Sequence, residues 1–246
     1  EARRLGLALE MPDGRGGVVT LDTIRHGHPI YIADFNLDAA DTSETDRIWV
    51  GGSTGYDLDG SSVVIGVWES GLPRTSHQEY DGGAWIGESG GVTSHACHTA
   101  GTMIGVGVVA QARGMADAAN TLSFTSVDDE MEMLAESGPG GIRLSNHSYG
   151  AIAGWWWSGA AWYWRGDKTV SATEDYLFGF YDETAQAWDQ IAHDHTRYLI
   201  CKAAGNDRND VGPVAGGSYY DWNGSEWVWT NVGAPSADGN AGFDSI

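Results

Sequence analysis

Positive charge and long apolar runs are both scarce in this chain of 246 residues. Lys and Arg number 13 against 34 Asp and Glu, which gives a formal net charge of −21. A chain of this charge is repelled by nucleic acids and by anionic membrane surfaces. No apolar run is long enough to span a bilayer, and the first residues contain no apolar signal core. We therefore expect no nucleic-acid or membrane partner and a secreted or extracellular protein whose export signal has been removed.

Cysteine is also scarce, since Cys97 and Cys201 are the only two. A disulfide framework is thereby excluded, and the pair forms either one bridge or two buried thiols. The apolar surroundings of both residues favour free thiols. Glycine and tryptophan are abundant by contrast, with 36 and 12 residues. This composition is typical of a loop-rich extracellular enzyme or binding module.

The first 48 residues have the pattern of a small appendage. Two apolar, β-branched runs at 17–21 and 29–33 flank a glycine-containing turn at 25–28 and predict a hairpin. A short helix and a glycine-rich linker at 51–55 follow. We place the domain boundary after residue 48, so that residues 49–246 form the main domain.

The main domain alternates predicted strands and helices. Strands are predicted at 62–68, 121–125, 142–146 and 198–204, and helices at 94–106, 128–136 and 171–195. This alternation predicts an α/β fold with a parallel central sheet and helices on both of its faces. The helix at 128–136 should bury Val127, Met131, Leu134 and Ala135. The long helix should begin at a capping box, Ser171 to Glu174.

Between these elements, residues 151–170 hold five tryptophans among glycines. The segment is too short and too polar to span a membrane, and it predicts a partly exposed aromatic loop or hairpin. Exposed aromatic clusters mark partner sites, although rings folded into a local core would give the same composition.

Chemically useful side chains follow the first and the last of the predicted strands. Glu69 ends the first strand, His95 and His98 lie on one face of the next helix, and Asn206 follows the last strand. The carboxyl ends of parallel strands open on one side of a sheet, where α/β proteins build their sites. The alternatives are a solvated acid at a strand end and two core histidines with satisfied hydrogen bonds.

Five segments in order resemble the subtilisin-like serine peptidases, or subtilases. Glu69-Ser70-Gly71 stands where that family has Asp-Ser/Thr-Gly, and residues 95–102 match its His-Gly-Thr-His-x-x-Gly-Thr helix. Residues 114–122 are similar to its Gly-x-Ala-x-x-Ala-x-Leu segment with one insertion. Ser148-Tyr149-Gly150 is similar to its substrate-binding strand, and residues 203–206 to its Ala-Ala-Gly-Asn. Five ordered motifs carry more weight than any single match.

The resemblance implies a three-layer subtilisin-like fold, incomplete at the carboxyl end, and a serine endopeptidase acting on polypeptides. It makes His95 the general base, Glu69 its orienting carboxylate and Asn206 the oxyanion donor. Ser148, Tyr149 and Gly150 would bind the substrate backbone as an added strand. His98 would be a structural second histidine, and residues 1–48 would resemble the end of a pro-segment. No cofactor is implied, although structural calcium is compatible with the family.

Two departures limit this interpretation. Glu69 replaces the family's Asp, and the additional methylene displaces the carboxylate unless the backbone retreats. No Gly-Thr-Ser-Met-Ala segment with a nucleophilic serine occurs before Ile246. We therefore expect a separate carboxyl-terminal segment or chain to supply the nucleophile. The alternatives are an inactive subtilase-fold protein that binds polypeptide or glycan, and a metal site built from Glu69, His95, His98 and Cys97.

Overall fold

The computed structural model describes residues 4–8, 10–12, 18–25, 28–33, 36–206 and 211–235. In these ranges the strands are β1 (Glu10–Pro12), β2 (Val18–Arg25), β3 (His28–Ala33), β4 (Val64–Glu69), β5 (Ala84–Ile86), β6 (Asn120–Thr125), β7 (Leu144–His147), β8 (Trp155–Trp157), β9 (Trp162–Trp164), β10 (Leu199–Lys202), β11 (Tyr219–Trp222) and β12 (Trp227–Thr230). The helices are α1 (Asn36–Thr42), α2 (Ser94–Ile104), α3 (Asp129–Glu136) and α4 (Glu183–Asp194). None of the helices in the described ranges is long and apolar enough to cross a membrane.

A parallel sheet of five strands, β4, β5, β6, β7 and β10, confirms the predicted α/β class. All four strands predicted for the sheet are present, and the additional strand β5 is only three residues long. The chain divides into two compact units, one of residues 1–126 and 142–144 and the other of residues 127–141 and 145–246.

In the first unit, β4 is the central element. It pairs in parallel with β6 from Val64 opposite Asn120 to Glu69 opposite Thr125, and β6 pairs in parallel with β5. The β-branched residues Ile65 and Val67 are buried against Ala100 and Ile104 of α2. This burial explains why the strand is apolar almost throughout its length.

Strands β1 to β3 form a separate antiparallel sheet in the first unit. Residues 18–25 and 28–33 pair as the hairpin that the sequence predicted. The predicted turn residues His26 and Gly27 lie outside the described residues. The role of residues 1–48 as a pro-segment-like appendage stays a prediction.

The second unit contains a four-stranded sheet in the order β12-β11-β9-β8. The tryptophan-rich segment supplies β8 and β9, which form a hairpin. Trp155 and Trp164 pack with Tyr219 in a buried core, whereas 43% of Trp157 is exposed. The segment is therefore a hairpin with both buried and exposed rings.

The predicted long helix from residue 171 is wrong, because α4 begins only at Glu183. The amide of Glu174 does donate to Ser171 Oγ at 3.4 Å, but no helix follows. Asp175 is buried and accepts hydrogen bonds from the amides of Gly154 and Leu177. This tertiary anchor replaces the helical path that the local sequence favours.

The predicted buried face of α3 is also wrong. Met131 is 75% exposed, and Val127 and Leu134 are exposed as well, whereas Met133 is fully buried. Asp129, one helical turn before Met133, is buried too. In this orientation Asp129 accepts a hydrogen bond from the Tyr149 hydroxyl. Hydrophobic periodicity along α3 takes no account of such a polar contact from outside the helix.

Candidate active site

Glu69 and His95 form a hydrogen-bonded pair in the first unit. Glu69 Oε2 lies 2.7 Å from His95 Nδ1. The glutamate side chain is 1% exposed and the histidine side chain 55% exposed. A buried carboxylate thus holds one nitrogen of an imidazole that is open to solvent. The Glu69 side chain, although one methylene longer than an Asp, places its carboxylate in contact with His95.

A short parallel bridge brings the end of β4 to the beginning of α2. Leu72 pairs with Val92, and the amide of Thr93 donates to the carbonyl of Leu72 at 3.1 Å. Gly71 allows this approach, since a Cβ at that position would lie 2.4 Å from Thr93 Cγ2. The strand and the helix that carry the pair are therefore fixed to each other within three residues of each functional side chain.

Thr93 is the N-cap of α2. Its Oγ1 accepts a hydrogen bond from the amide of Ala96 at 3.2 Å. Ser94 is the first residue of the helix. Ala96 and Ala100 are fully buried and turn the opposite side of the helix inwards, which leaves His95 on the exposed side.

One oxygen of Glu69 has no partner. Oε1 is buried and lacks a hydrogen bond among the described residues. An unsatisfied buried carboxylate oxygen costs free energy. Within the described part of the chain, the carboxylate is therefore held by His95 through Oε2.

His98 lies apart from the Glu69–His95 pair. It borders a cavity of about 630 Å³ together with His77, Cys97 and Tyr80. Cys97 Sγ accepts a hydrogen bond from the amide of Arg74, and its carbonyl accepts one from the Tyr80 hydroxyl at 2.6 Å. No group of three or more His, Cys, Asp or Glu within the described ranges is placed to hold a metal ion, so the geometry gives the metal-site alternative no support.

Cys97 and Cys201 are both free thiols, as the sequence favoured. The expected burial is wrong for Cys201, which is exposed.

The predicted substrate-binding residues Ser148, Tyr149 and Gly150 lie in the second unit, directly after β7. Tyr149 is half-buried, and its hydroxyl donates to Asp129 Oδ2. The Lys202 ammonium lies 4.4 Å from the centroid of the Tyr149 ring. These two contacts fix the tyrosine between α3 and β10.

Burial shifts the pKa values around Tyr149. It raises the pKa of Asp129 to about 6 despite the hydrogen bond from Tyr149, and neighbouring Glu130 contributes to the rise. It lowers the pKa of His147 to about 3, with a further contribution from the Lys202 ammonium. His147 is fully buried, with Nε2 2.9 Å from Ser145 Oγ and Nδ1 3.0 Å from the Tyr149 hydroxyl. We name His147, Tyr149 and Asp129 the buried histidine cluster.

The sequence reasoning missed the buried histidine cluster. Asp128 and Asp129 have the pattern of ordinary acids at a helix start. Only the alternation along β7, which places Ser145 and His147 on one face, could have indicated an inward-facing histidine. Asn206, the predicted oxyanion donor, is exposed in the second unit. Its approach to His95 stays a prediction.

Comparison with known proteins adds no assignment: no protein-family model and no curated protein matches this chain.

Proposed function

We propose that this chain carries the acid–base part of a subtilisin-like serine endopeptidase. The observation that supports the proposal is the hydrogen bond between buried Glu69 and solvent-open His95. A carboxylate on Nδ1 fixes the imidazole tautomer, so that Nε2 is the nitrogen that can accept a proton. The ordered subtilase motifs supply the substrate class, since hydrogen-bond geometry alone does not distinguish a peptidase from another hydrolase.

In the proposed reaction His95 Nε2 takes the proton of a serine hydroxyl as its oxygen attacks the scissile carbonyl. Glu69 stabilises the imidazolium, and the Asn206 amide donates to the developing oxyanion. His95 then gives the proton to the leaving amine as the C–N bond breaks. A water molecule hydrolyses the acyl-enzyme with His95 again as base. Ser148, Tyr149 and Gly150 are assigned to the substrate backbone.

The serine belongs to polypeptide outside this sequence in the proposed enzyme. Co-expression with a carboxyl-terminal polypeptide that carries a Gly-Thr-Ser-Met-Ala segment should therefore give a protein that a serine-specific phosphonate labels. The isolated chain should remain unlabelled. His95→Ala should abolish labelling, whereas His98→Gln, a change at an exposed histidine on the same helix, should retain it.

Labelling of the isolated chain at any serine would contradict the placement of the nucleophile. Full labelling and peptide hydrolysis with His95→Ala would contradict the proposed base.

A further inference from the structure

The four-stranded sheet of the second unit has two different faces. Side chains alternate along each strand, so residues paired across the sheet share a face. One face buries Trp155, Trp164 and Tyr219. The opposite face carries an almost purely aromatic set, which we name the aromatic face: Trp156, Tyr163, Tyr220, Trp222, Trp227 and Trp229.

Four rings of the aromatic face form a continuous row, one from each strand. Successive ring centroids are 5.4 Å apart from Trp156 to Tyr163, 4.8 Å from Tyr163 to Tyr220 and 4.8 Å from Tyr220 to Trp229. Three strand spacings of ~4.8 Å make this row about 14 Å long. The rings support one another, and the row ends at Trp229, which is 54% exposed.

A cavity of about 650 Å³ adjoins the row and is lined by Trp222 and Trp227 together with polar side chains. Its polar residues are held by tight turns. Asp167 Oδ1 accepts hydrogen bonds from the amide and the hydroxyl of Thr169. Asn223 Oδ1 accepts from the amides of Ser225 and Glu226, so its amide NH₂ group is the part that remains to donate.

The loop at 165–169 is fastened to the sheet. Lys168 Nζ donates to Asp221 Oδ2 at 2.8 Å and to the Tyr219 hydroxyl. The Arg165 guanidinium lies 5.3 Å from the centroid of the Trp227 ring. The cavity is therefore preformed, and a ligand would bind without ordering the loop first.

We propose that the aromatic face and its cavity bind an uncharged, extended polysaccharide chain. The C–H bonds on the face of a sugar ring pack on electron-rich aromatic rings, and its hydroxyls pair with amide and carboxylate groups such as those of Asn223 and Asp167. A row of four rings suits an extended chain rather than a single sugar. This site is independent of the proposed peptidase chemistry.

Charge distinguishes this ligand from the other polymers that stack on aromatic rings. Single-stranded nucleic acid requires a positively charged groove beside the rings. The cavity lining combines Arg165 and Lys168 with Asp167, and Lys168 is paired with Asp221, so the lining is not uniformly positive, and the chain as a whole has a net charge of −21. Nucleic acid and anionic lipid are therefore disfavoured, whereas a neutral polysaccharide experiences no repulsion.

The test is co-sedimentation with insoluble cellulose and chitin, with soluble xylan titrated by tryptophan fluorescence. The intact chain should bind at least one of these polysaccharides. Trp222→Ala and Trp229→Ala should each weaken binding about tenfold or more, and Trp222→Phe should retain most of it. Trp157→Ala is the matched control, because Trp157 is 43% exposed on the opposite face of the same sheet.

Absence of binding to all three polysaccharides would overturn the proposal. So would an equal loss of binding in Trp157→Ala and Trp222→Ala, or binding to phosphatidylglycerol vesicles in place of polysaccharide. Thermal unfolding of each variant establishes that lost binding does not reflect lost folding.

Discussion

The Glu69–His95 pair and the buried histidine cluster each combine a histidine with a carboxyl group, and they differ in what surrounds the imidazole. In the first unit, Glu69 is buried and the His95 side chain is 55% exposed. In the second unit, both His147 and Asp129 are buried. Burial lowers the pKa of His147 to about 3, so this imidazole is neutral at any ordinary pH. Hydrogen bonding alone therefore does not make a general base; the ring must also reach substrate and accept a proton.

The carboxyl groups of Glu69 and Asp129 also differ in their surroundings. Glu69 contacts its histidine through one oxygen, and among the described residues the other oxygen has no hydrogen-bond partner. Burial raises the pKa of Asp129 to about 6, and its carboxyl group accepts a hydrogen bond from the Tyr149 hydroxyl. We interpret the first pair as catalytic machinery and the buried histidine cluster as a structural device that fixes the segment after β7.

The largest expected effect is on peptide hydrolysis, which should depend on the Glu69–His95 pair and not on the buried histidine cluster. Glu69→Gln in the enzyme supplied with its serine should lower kcat by about 10⁴, because a triad carboxylate fixes the imidazole tautomer. Glu69→Asp should lower kcat by about a hundredfold, because the shorter side chain moves the carboxylate away from His95. Assays of peptide hydrolysis measure both changes in kcat. In the isolated chain, the effect of Glu69→Gln on the histidine is detected as loss of the His95 ring N–H resonance.

Asp129→Asn provides the contrast, since it should leave kcat within a few-fold of the parent. A loss of kcat as large as that in Glu69→Gln would move the chemistry to the second unit and contradict the assignment.

The second prediction uses the pH dependence of stability. The folded pKa of Asp129 is raised to about 6, so the folded state binds more protons than the unfolded state from pH 4 to 6, and stability falls as pH rises. The folded pKa of His147 is lowered to about 3, so its contribution is present above pH 6.5 and is lost as pH falls. The two contributions oppose each other between pH 4 and 6.

Single substitutions should reveal each contribution. Relative to the parent, Asp129→Asn should be more stable at pH 7 than at pH 4, and His147→Gln should be more stable at pH 4 than at pH 7. Each difference should be on the order of 2 kcal/mol in the free energy of unfolding. Chemical denaturation across this range measures both. Parallel pH profiles for the two variants would show that these groups do not titrate as described.

The third prediction compares Glu69 with Glu79, a second buried glutamate of the first unit. Glu79 uses both oxygens, accepting from the amides of Gly107, Val108 and Val109 at 2.8–2.9 Å. In Glu79→Gln the new NH₂ group faces at least one of these donors, whichever way the amide turns. We expect a loss of about 1–3 kcal/mol in the free energy of unfolding.

Hydrogen exchange locates this effect. Amide protection of Val108 and Val109 should fall in Glu79→Gln and remain unchanged in Glu69→Gln. Equal protection in the two variants would mean that Glu79 does not anchor this loop.

The comparison also shows what the sequence could predict. The pairing of Glu69 with His95 was expected, because both follow parallel strands in an ordered set of motifs. The strand β4 was predictable because a buried parallel strand is a continuous apolar run. The strand β10 was predicted for the same reason, but its expected burial is wrong, because Leu199 is 60% exposed. These features depend on local composition and on chain order.

Features governed by distant contacts could not be predicted in this way. The Tyr149–Asp129 hydrogen bond accompanies a rotation of α3 that exposes Met131, against the hydrophobic periodicity. Buried Asp175 holds the chain where a capping pattern predicted a helix. In both cases the local sequence pattern favoured one structure, and a hydrogen bond to a residue distant in the chain stabilised another.

The smallest effect concerns the N-caps of two helices, one in each unit. Thr93 caps α2 through the amide of Ala96, and Asp182 caps α4 through the amide of Ala185 at 2.9 Å. Thr93→Ala and Asp182→Ala should each cost about 1 kcal/mol of unfolding free energy. Only Thr93→Ala should also lower peptide hydrolysis, because His95 lies in the first turn of α2. Thr93→Ser should recover both properties, because it keeps the capping oxygen. If Asp182→Ala reduced hydrolysis as much as Thr93→Ala at the same loss of stability, the activity change would reflect general destabilisation and not the position of His95.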